Sequence, residues 1–338
     1  MERVAVQKKK GRRRRRWPWA LLIVGCVLLL TDKVVGLANP QPQVGRFADA
    51  EGARAYDRAY AAALAAMPTP TTIRDVPTTF GSVRVTEWAR PELGGRTPVL
   101  LTPGWGSGTP AWEANLRDLM VERPVIAVDA LGDAGHSVQR VPLTSTADHA
   151  QWLGEVLDAL AVPRVHVVGH SFGAATATAL ALYRPDRVAS LTQLEPVLTY
   201  GQLPASAIFW SIPVNVSFLP QSWRDRGLAE IGGVDPADLK TAGPVGEMIA
   251  AGTQHYRQAM PMPSPLGDEQ LRSLSMPVYL AVAGRKSLVG GDSAVQRARD
   301  LLPQATVRIF PEATHSLPMQ ESATLDAELL AWWRTQDR

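Results

Sequence analysis

Gly169-His170-Ser171-Phe172-Gly173 stands between "RVHVVG", which reads as a strand, and an Ala-rich run, "AATATALALY", which reads as a helix. A serine becomes a nucleophile when a tight turn lifts its hydroxyl above the sheet edge and a base takes its proton. The flanking glycines suit such a turn, because a Cβ at either place would strike the neighbouring strand or helix. The turn also points the N–H groups at the start of the helix toward the hydroxyl. G-x-S-x-G strings are common in glycine-rich chains; the strand before and the helix after make Ser171 the candidate nucleophile.

The base must reach Ser171 through space from another part of the chain. His315, in "FPEATHSLPMQES", lies between the last strand and the last helix, at the same sheet edge. The other five histidines have plainer places: His136 in a turn, His149 on a helix surface, His166 pointing inward from a strand, His170 beside the nucleophile and His255 in an inserted segment. An acid that orients the imidazole must sit at that edge too. "ASLTQLEPV" ends in Glu195, directly before Pro196 leads the chain out of the sheet, and the order Ser171, Glu195, His315 gives nucleophile, acid, base. The competing reading of Glu195 is a solvated strand-end carboxylate. Asp129, in "AVDALGDAGHS", reads as a structural turn residue that bonds nearby backbone.

The elements that must position these groups alternate. "TTIRDVPTTF" and "SVRVTEWA" suggest an antiparallel pair turning at Gly81 and Ser82, and "TPVLLT" is a short apolar run suited to a strand buried on both faces. Helix "AWEANLRDLMV", strand "PVIAVDA", helix "TADHAQWLGEVLDAL" and strand "VASLTQLE" continue the pattern around the serine turn. Repeated β and α segments imply right-handed crossovers and a mostly parallel sheet flanked by helices. From about 197 to 275 the rhythm breaks into a helical insertion, read as a lid between strands 6 and 7, before strand "PVYLAV", helix "DSAVQRARDLL", strand "ATVRIF" and a last helix resume it.

With "VLLTPGWGSG", "VIAVDALGDAGHS", "GHSFG" and "FPEATHSLP", residues 70 to 336 resemble the α/β-hydrolase fold family, nearest its lidded, lipase-like and esterase-like bacterial members. The resemblance implies that His315 is the base and that the backbone N–H groups of Trp105 and Phe172 form an oxyanion hole. Most relatives have His-Gly where this chain has Pro103-Gly104; because the donors are backbone groups, the departure alters the loop without removing the hole. In the family the acid usually follows the seventh strand, where this chain has Ser287 beside Arg285 and Lys286. Some members, including one branch of the haloalkane dehalogenases, place it after the sixth strand, which favours Glu195. Asp292 is the other candidate, although it suits the cap of a helix starting at Ser293. Ser287 is then expected to be structural.

The 338 residues are 46% hydrophobic and 20% charged, which suits one large core. Their net charge of +3 is unevenly spread, for residues 1–16 hold nine Lys/Arg and one Glu, a net +8, leaving −5 for the rest. A mildly acidic body argues against nucleic-acid binding. The basic tail, 1–16, read as cytoplasmic, precedes a hydrophobic segment, 17–38, with the pattern of a secretory signal or an uncleaved anchor. Its apolar run, Trp17 to Leu30, is 14 residues long, and the small residues Gly36 and Ala38 of a cleavage site lie far beyond it, which favours the anchor. "IVGC" also matches a lipobox at Cys26, the only cysteine, but "VLLL" follows where a lipoprotein turns polar. Either membrane reading exports the body. Residues 39–70 read as linker and N-terminal helix, and 71–338 as the hydrolase domain.

No metal-ligand spacing, phosphate-cradling loop or dinucleotide fingerprint is present, so no cofactor is implied. The expectation is an exported or membrane-anchored serine hydrolase that cleaves small-molecule carboxylic esters. The apolar insertion, with Phe209, Trp210 and Phe218, suits a hydrophobic substrate. Dehalogenation uses a carboxylate nucleophile and does not fit Ser171. Acyl transfer to an alcohol and a catalytically weak binding or sensor protein are the alternatives on the same scaffold.

Overall fold

The apolar runs read as doubly buried strands form the centre of a nine-stranded sheet. The structure, a computed structural model, describes residues 43–216, 219–235 and 243–337. In chain order the elements are β1 (Arg46–Phe47), α1 (Ala50–Ala66), β2 (Thr72–Thr78), β3 (Gly81–Trp88), β4 (Val99–Thr102), α2 (Glu113–Glu122), β5 (Val125–Val128) and β6 (Val138–Gln139). Then come α3 (Thr146–Ala159), β7 (Val165–His170), α4 (Phe172–Tyr183) and β8 (Val188–Leu194). The insertion holds α5 (Ala205–Asn215), α6 (Gln221–Gly232), α7 (Gly243–His255), β9 (Tyr256–Arg257) and α8 (Asp268–Arg272). The chain ends with β10 (Val278–Ala283), α9 (Asp292–Leu301), β11 (Thr306–Phe310), α10 (Leu317–Gln320) and α11 (Ser322–Gln336).

The sheet runs β11-β10-β8-β7-β4-β5-β3-β2, parallel from β11 to β5 and antiparallel at β5-β3-β2, with β6 paired to β3. Strand order reverses between β4 and β7, so the chain leaves these two neighbours in opposite directions and opens a crevice at their carboxyl ends. Those ends carry the loop of Trp105 and the turn of Ser171.

Alternate side chains pack on opposite faces of the sheet. Leu100, Val167 and Leu280 join Trp152, Leu153 and Val156 of α3, Leu180 of α4 and Ala298 of α9. Their neighbours Val99, Leu101, Val168 and Ala281 face Leu116 and Leu119 of α2 and Leu325, Leu329 and Trp333 of α11. Burying each such Leu or Val contributes about 1.5–3 kcal/mol relative to leaving it exposed. The two layers therefore hold the carboxyl edge of the sheet rigid.

Two details differ from the sequence reading. The hairpin pairs Thr78 with Gly81, so Thr79 and Phe80 make its turn and Gly81 opens β3. Gly81 has φ +145, and a Cβ there would lie 2.0 Å from the Val138 carbonyl, so the glycine admits β6 rather than making the bend. The N-terminal helix is present as read, but it and the described end of the expected linker pack against the insertion. Arg46 and Phe47 pair with Arg257 and Tyr256, and Tyr56 and Tyr60 of α1 pack with Met248 of α7 and with Tyr256. The basic tail, segment 17–38 with Cys26, and Phe218 lie outside the described residues. Among the described residues no helix is long and apolar enough to cross a membrane.

Tyr56 is wholly buried, and its hydroxyl donates to the Ser107 carbonyl at 3.3 Å. Tyr56→Ala is expected to cost about 3–5 kcal/mol, as for a core aromatic. An exposed residue of a helix that stood apart from the body would change stability by no more than about 0.5 kcal/mol. The urea unfolding midpoint distinguishes the two.

Candidate active site

Ser171 occupies the sharp turn between β7 and α4 with φ 56 and ψ −120, outside the regions that L-residues favour. The turn closes only because its flanks lack side chains. A Cβ on Gly169 would lie 2.3 Å from the Gly173 carbonyl oxygen, and one on Gly173 would lie 2.1 Å from that of Thr102. The Thr102 hydroxyl ties the turn down from β4 by donating to the Gly173 carbonyl at 2.9 Å and the Val168 carbonyl at 3.1 Å.

The structure brings Ser171, His315 and Glu195 into one hydrogen-bonded line. The Ser171 Oγ lies 2.9 Å from His315 Nε2, and His315 Nδ1 lies 3.1 Å from Glu195 Oε2. An ionised carboxylate only accepts, so Nδ1–H donates to Glu195 and leaves Nε2 as acceptor for the serine hydroxyl. That is the tautomer a base needs.

Glu195 is not the solvated strand-end group that was its competing reading; its exposure is 0%. It sits just past β8 with φ 48, its amide still bonded to Ala281 of β10. One carboxylate oxygen accepts from the Ala283 amide at 2.7 Å and the Ser287 hydroxyl at 2.8 Å, the other from the Leu288 amide at 3.0 Å and from His315. Burial raises its pKa, but His315 and the Ala283 and Leu288 amides outweigh that and hold the carboxyl below its ordinary value. Ser287, at the family's usual acid position, therefore binds Glu195. Lys286 pairs with Glu230 at 2.8 Å and Arg285 with Glu312 at 3.8 Å, which directs both cations away from the imidazole. Asp292 is exposed in the first turn of α9, where Gly291, not Asp292, takes the cap position.

Trp105 and Phe172 border the serine. Their rings meet edge to face with centroids 4.8 Å apart, and a Cβ on Gly104 would lie 3.4 Å from that of Ser171. Phe172 is the first residue of α4, so its amide is one of the N–H groups without an acceptor inside the helix.

Several contributors were not foreseen. His170 donates from Nε2 to the His315 carbonyl at 2.9 Å, joining the Ser171 turn to the His315 loop; burial and the neighbouring His315 push its pKa down to about 3, so it is neutral. His149 is buried rather than on a helix surface. It accepts from the Trp152 indole at 3.2 Å and lines a small hollow of about 20 Å³ with Phe172 and Met260. The insertion reaches the base loop, where the Gly232 carbonyl accepts from the Thr314 and Ser316 hydroxyls, each at 3.0 Å. Asp129 accepts from the Thr109 and His136 amides at 2.7 and 2.8 Å. Asp133, in the same loop, binds the Gly106 amide beside Trp105. Nothing in the local sequence separates Asp133 from Asp129; only the tertiary contacts do. Among the described residues no group of three or more His, Cys, Asp or Glu side chains could hold a metal ion.

This sheet, with its crevice and serine turn, defines the class: the chain has the α/β-hydrolase fold. The family described as alpha/beta hydrolase fold matches residues 97–230. The chain is 23% identical over 304 residues to the carboxylesterase YbfK of Bacillus subtilis, covering 85% of this chain and 96% of that protein. It is 24% identical over 247 residues to the uncharacterized carboxylesterase nap of the same organism, covering 71% and 80%. Among solved structures it resembles the naproxen esterase (carboxylesterase NP) of Bacillus subtilis, with a TM-score of 0.75 at 22% identity over 84% of this chain and 99% of that one.

A carboxyl whose pKa is lower folded than unfolded adds stability above the unfolded value, here 4.5, and loses it as pH falls through the folded value. Glu195→Gln removes that group. Its unfolding midpoint is expected to change less than that of the unaltered chain between about pH 5 and pH 3, as measured by urea titration at each pH.

Proposed function

We propose that this protein is a serine hydrolase that cleaves carboxylic esters through an acyl-enzyme. The observation that carries the reading is the buried line from Ser171 through His315 to Glu195, at 2.9 and 3.1 Å. The carboxylesterase relatives support the same reaction class.

In the proposed cycle the Ser171 Oγ attacks the ester carbonyl carbon while His315 Nε2 takes its proton. The carbonyl oxygen becomes an oxyanion, held by the Trp105 and Phe172 amides. Removing one such donor typically costs about 10² to 10³ in kcat. Collapse breaks the bond to the alcohol, and the imidazolium returns its proton to the leaving oxygen. Water then repeats the sequence, with His315 as base, and releases the acid. Glu195 keeps Nδ1–H in place and stabilises the imidazolium.

A lipophilic acyl or alcohol group is the substrate feature best supported. Phe172, Leu203 and Ile231 pack against Val197, Ala207 and Leu288, and so give the insertion an apolar side next to the nucleophile. The insertion would then act as the lid. Export, with the body retained by an N-terminal anchor or released by cleavage, is the proposed location; its support is the basic and apolar pattern of residues 1–38.

A fluorophosphonate probe is expected to label the chain at Ser171, and Ser171→Ala to abolish labelling and lower kcat on a p-nitrophenyl ester by about 10⁶. Glu195→Gln is expected to lower kcat by up to about 10⁴, the effect of losing the correct tautomer. A chain that is folded but unlabelled, with no ester turnover, would instead be the binding protein. Adding an alcohol acceptor and measuring transesterified against hydrolysed product separates acyl transfer from hydrolysis.

A further inference from the structure

The proposed oxyanion loop is gripped from two sides at the residue after Trp105. Gly106 has φ +70, and its amide points at Asp133, 3.0 Å from one carboxylate oxygen and 3.2 Å from the other. Asp133 also accepts from the Ala134 amide at 2.7 Å and from the Gln258 side-chain amide, just past β9, at 2.7 Å. On the other side α7 presses on the same residue, at the carbonyl of its next peptide. A Cβ on Gly252 would lie 2.0 Å from the Gly106 carbonyl oxygen, and one on Gly106 would lie 2.3 Å from the Thr253 hydroxyl. Gly106 thus meets Asp133 through its amide and the insertion through its carbonyl, and Asp133 reaches the chain just beyond the insertion helix through Gln258.

We infer that Asp133 is a positioning residue that sets the Trp105 amide by holding Gly106, and that it couples this amide to the seating of α7. The role rests on the ester-hydrolase reading, since it needs Trp105 to be an oxyanion donor. Every polar group bonded to Asp133 is an N–H, so the ionised carboxylate satisfies all of them, whereas a protonated one turns an O–H toward a donor. The titratable neighbours are Asp129 from its own loop, Tyr56 from α1 and Tyr256 from β9, none of them cationic at neutral pH. Burial against the opposing pull of the Ala134, Gly106 and Gln258 donors brings the carboxyl up to about 7. A raised carboxyl pKa means that the clamp forms as pH rises through that value and loosens below it. The rate is therefore expected to carry a proton-dependent limb centred near 7 that belongs to Asp133.

The test uses the full chain with a fluorophosphonate and a short p-nitrophenyl ester, rates being normalised to labelled Ser171. Asp133→Asn is expected to keep labelling at Ser171, lower kcat by about 10- to 100-fold with KM within about threefold, and lose the limb near 7. Gln258→Ala removes one donor that favours the ionised form, and is expected to move that limb to higher pH. A folded Asp133→Asn with unchanged kcat and pH profile overturns the inference. If that variant does not fold, a limb left in place by Gln258→Ala overturns it. An unlabelled wild-type chain removes the hydrolase reading and this inference together; a labelled wild type with unmoved variants removes this inference alone.

Discussion

A carboxylate with no access to water has to be surrounded by donors, and Glu195 sets that demand at the carboxyl edge of this sheet. Its four hydrogen bonds come from three places: the end of β10, the turn of Ser287 and Leu288, and the His315 loop. None of these segments can move far without leaving a buried charge short of a partner, a loss that typically costs several kcal/mol. The geometry of the imidazole is thus a by-product of solvating one anion with protein groups. Satisfying the charge and aiming the base are the same arrangement.

The remaining parts of the site follow from where the sheet reverses direction. The Trp105 loop and the Ser171 turn leave adjacent strands on opposite sides, and Gly173 allows the helix start to approach the Thr102 and Pro103 backbone. The insertion then rests on two loops of the site. It meets the His315 loop through the Gly232 carbonyl, and the Trp105 loop through Gly252. The segment proposed as the lid is therefore packed against the loops that would perform the chemistry.

Much of this was legible in the chain. The β/α alternation and the continuous apolar runs foretold a parallel sheet, because strands buried on both faces cannot carry alternating polar residues. Ser171 stood out through its flanking glycines, and Glu195 through its place at a strand end before Pro196. What stayed hidden depends on partners distant in sequence. Ser287 looked like a vacated acid position because its hydroxyl finds Glu195 only after β8 and β10 pair, 92 residues apart. His149 looked like a surface residue, yet Trp152 and the segment near Met260 bury it. Asp133 and Asp129 share one loop, and nothing local says that one binds Thr109 and the other Gly106.

The pairing of Arg46 and Phe47 with Arg257 and Tyr256 also bears on the order in which the molecule assembles. The first described strand and helix α1 are made early, yet the surface they cover is completed only when the chain has been synthesised through β9. At 5–20 residues per second the ribosome takes on the order of 10–40 s to reach it. For that interval the tyrosine face of α1 has its contacts with Ser107, Asp129 and His136 but lacks the cover of Met248 and Tyr256. Long-range closure of this kind makes folding slow relative to helix formation. The N-terminal helix is among the first elements to form and among the last to be secured.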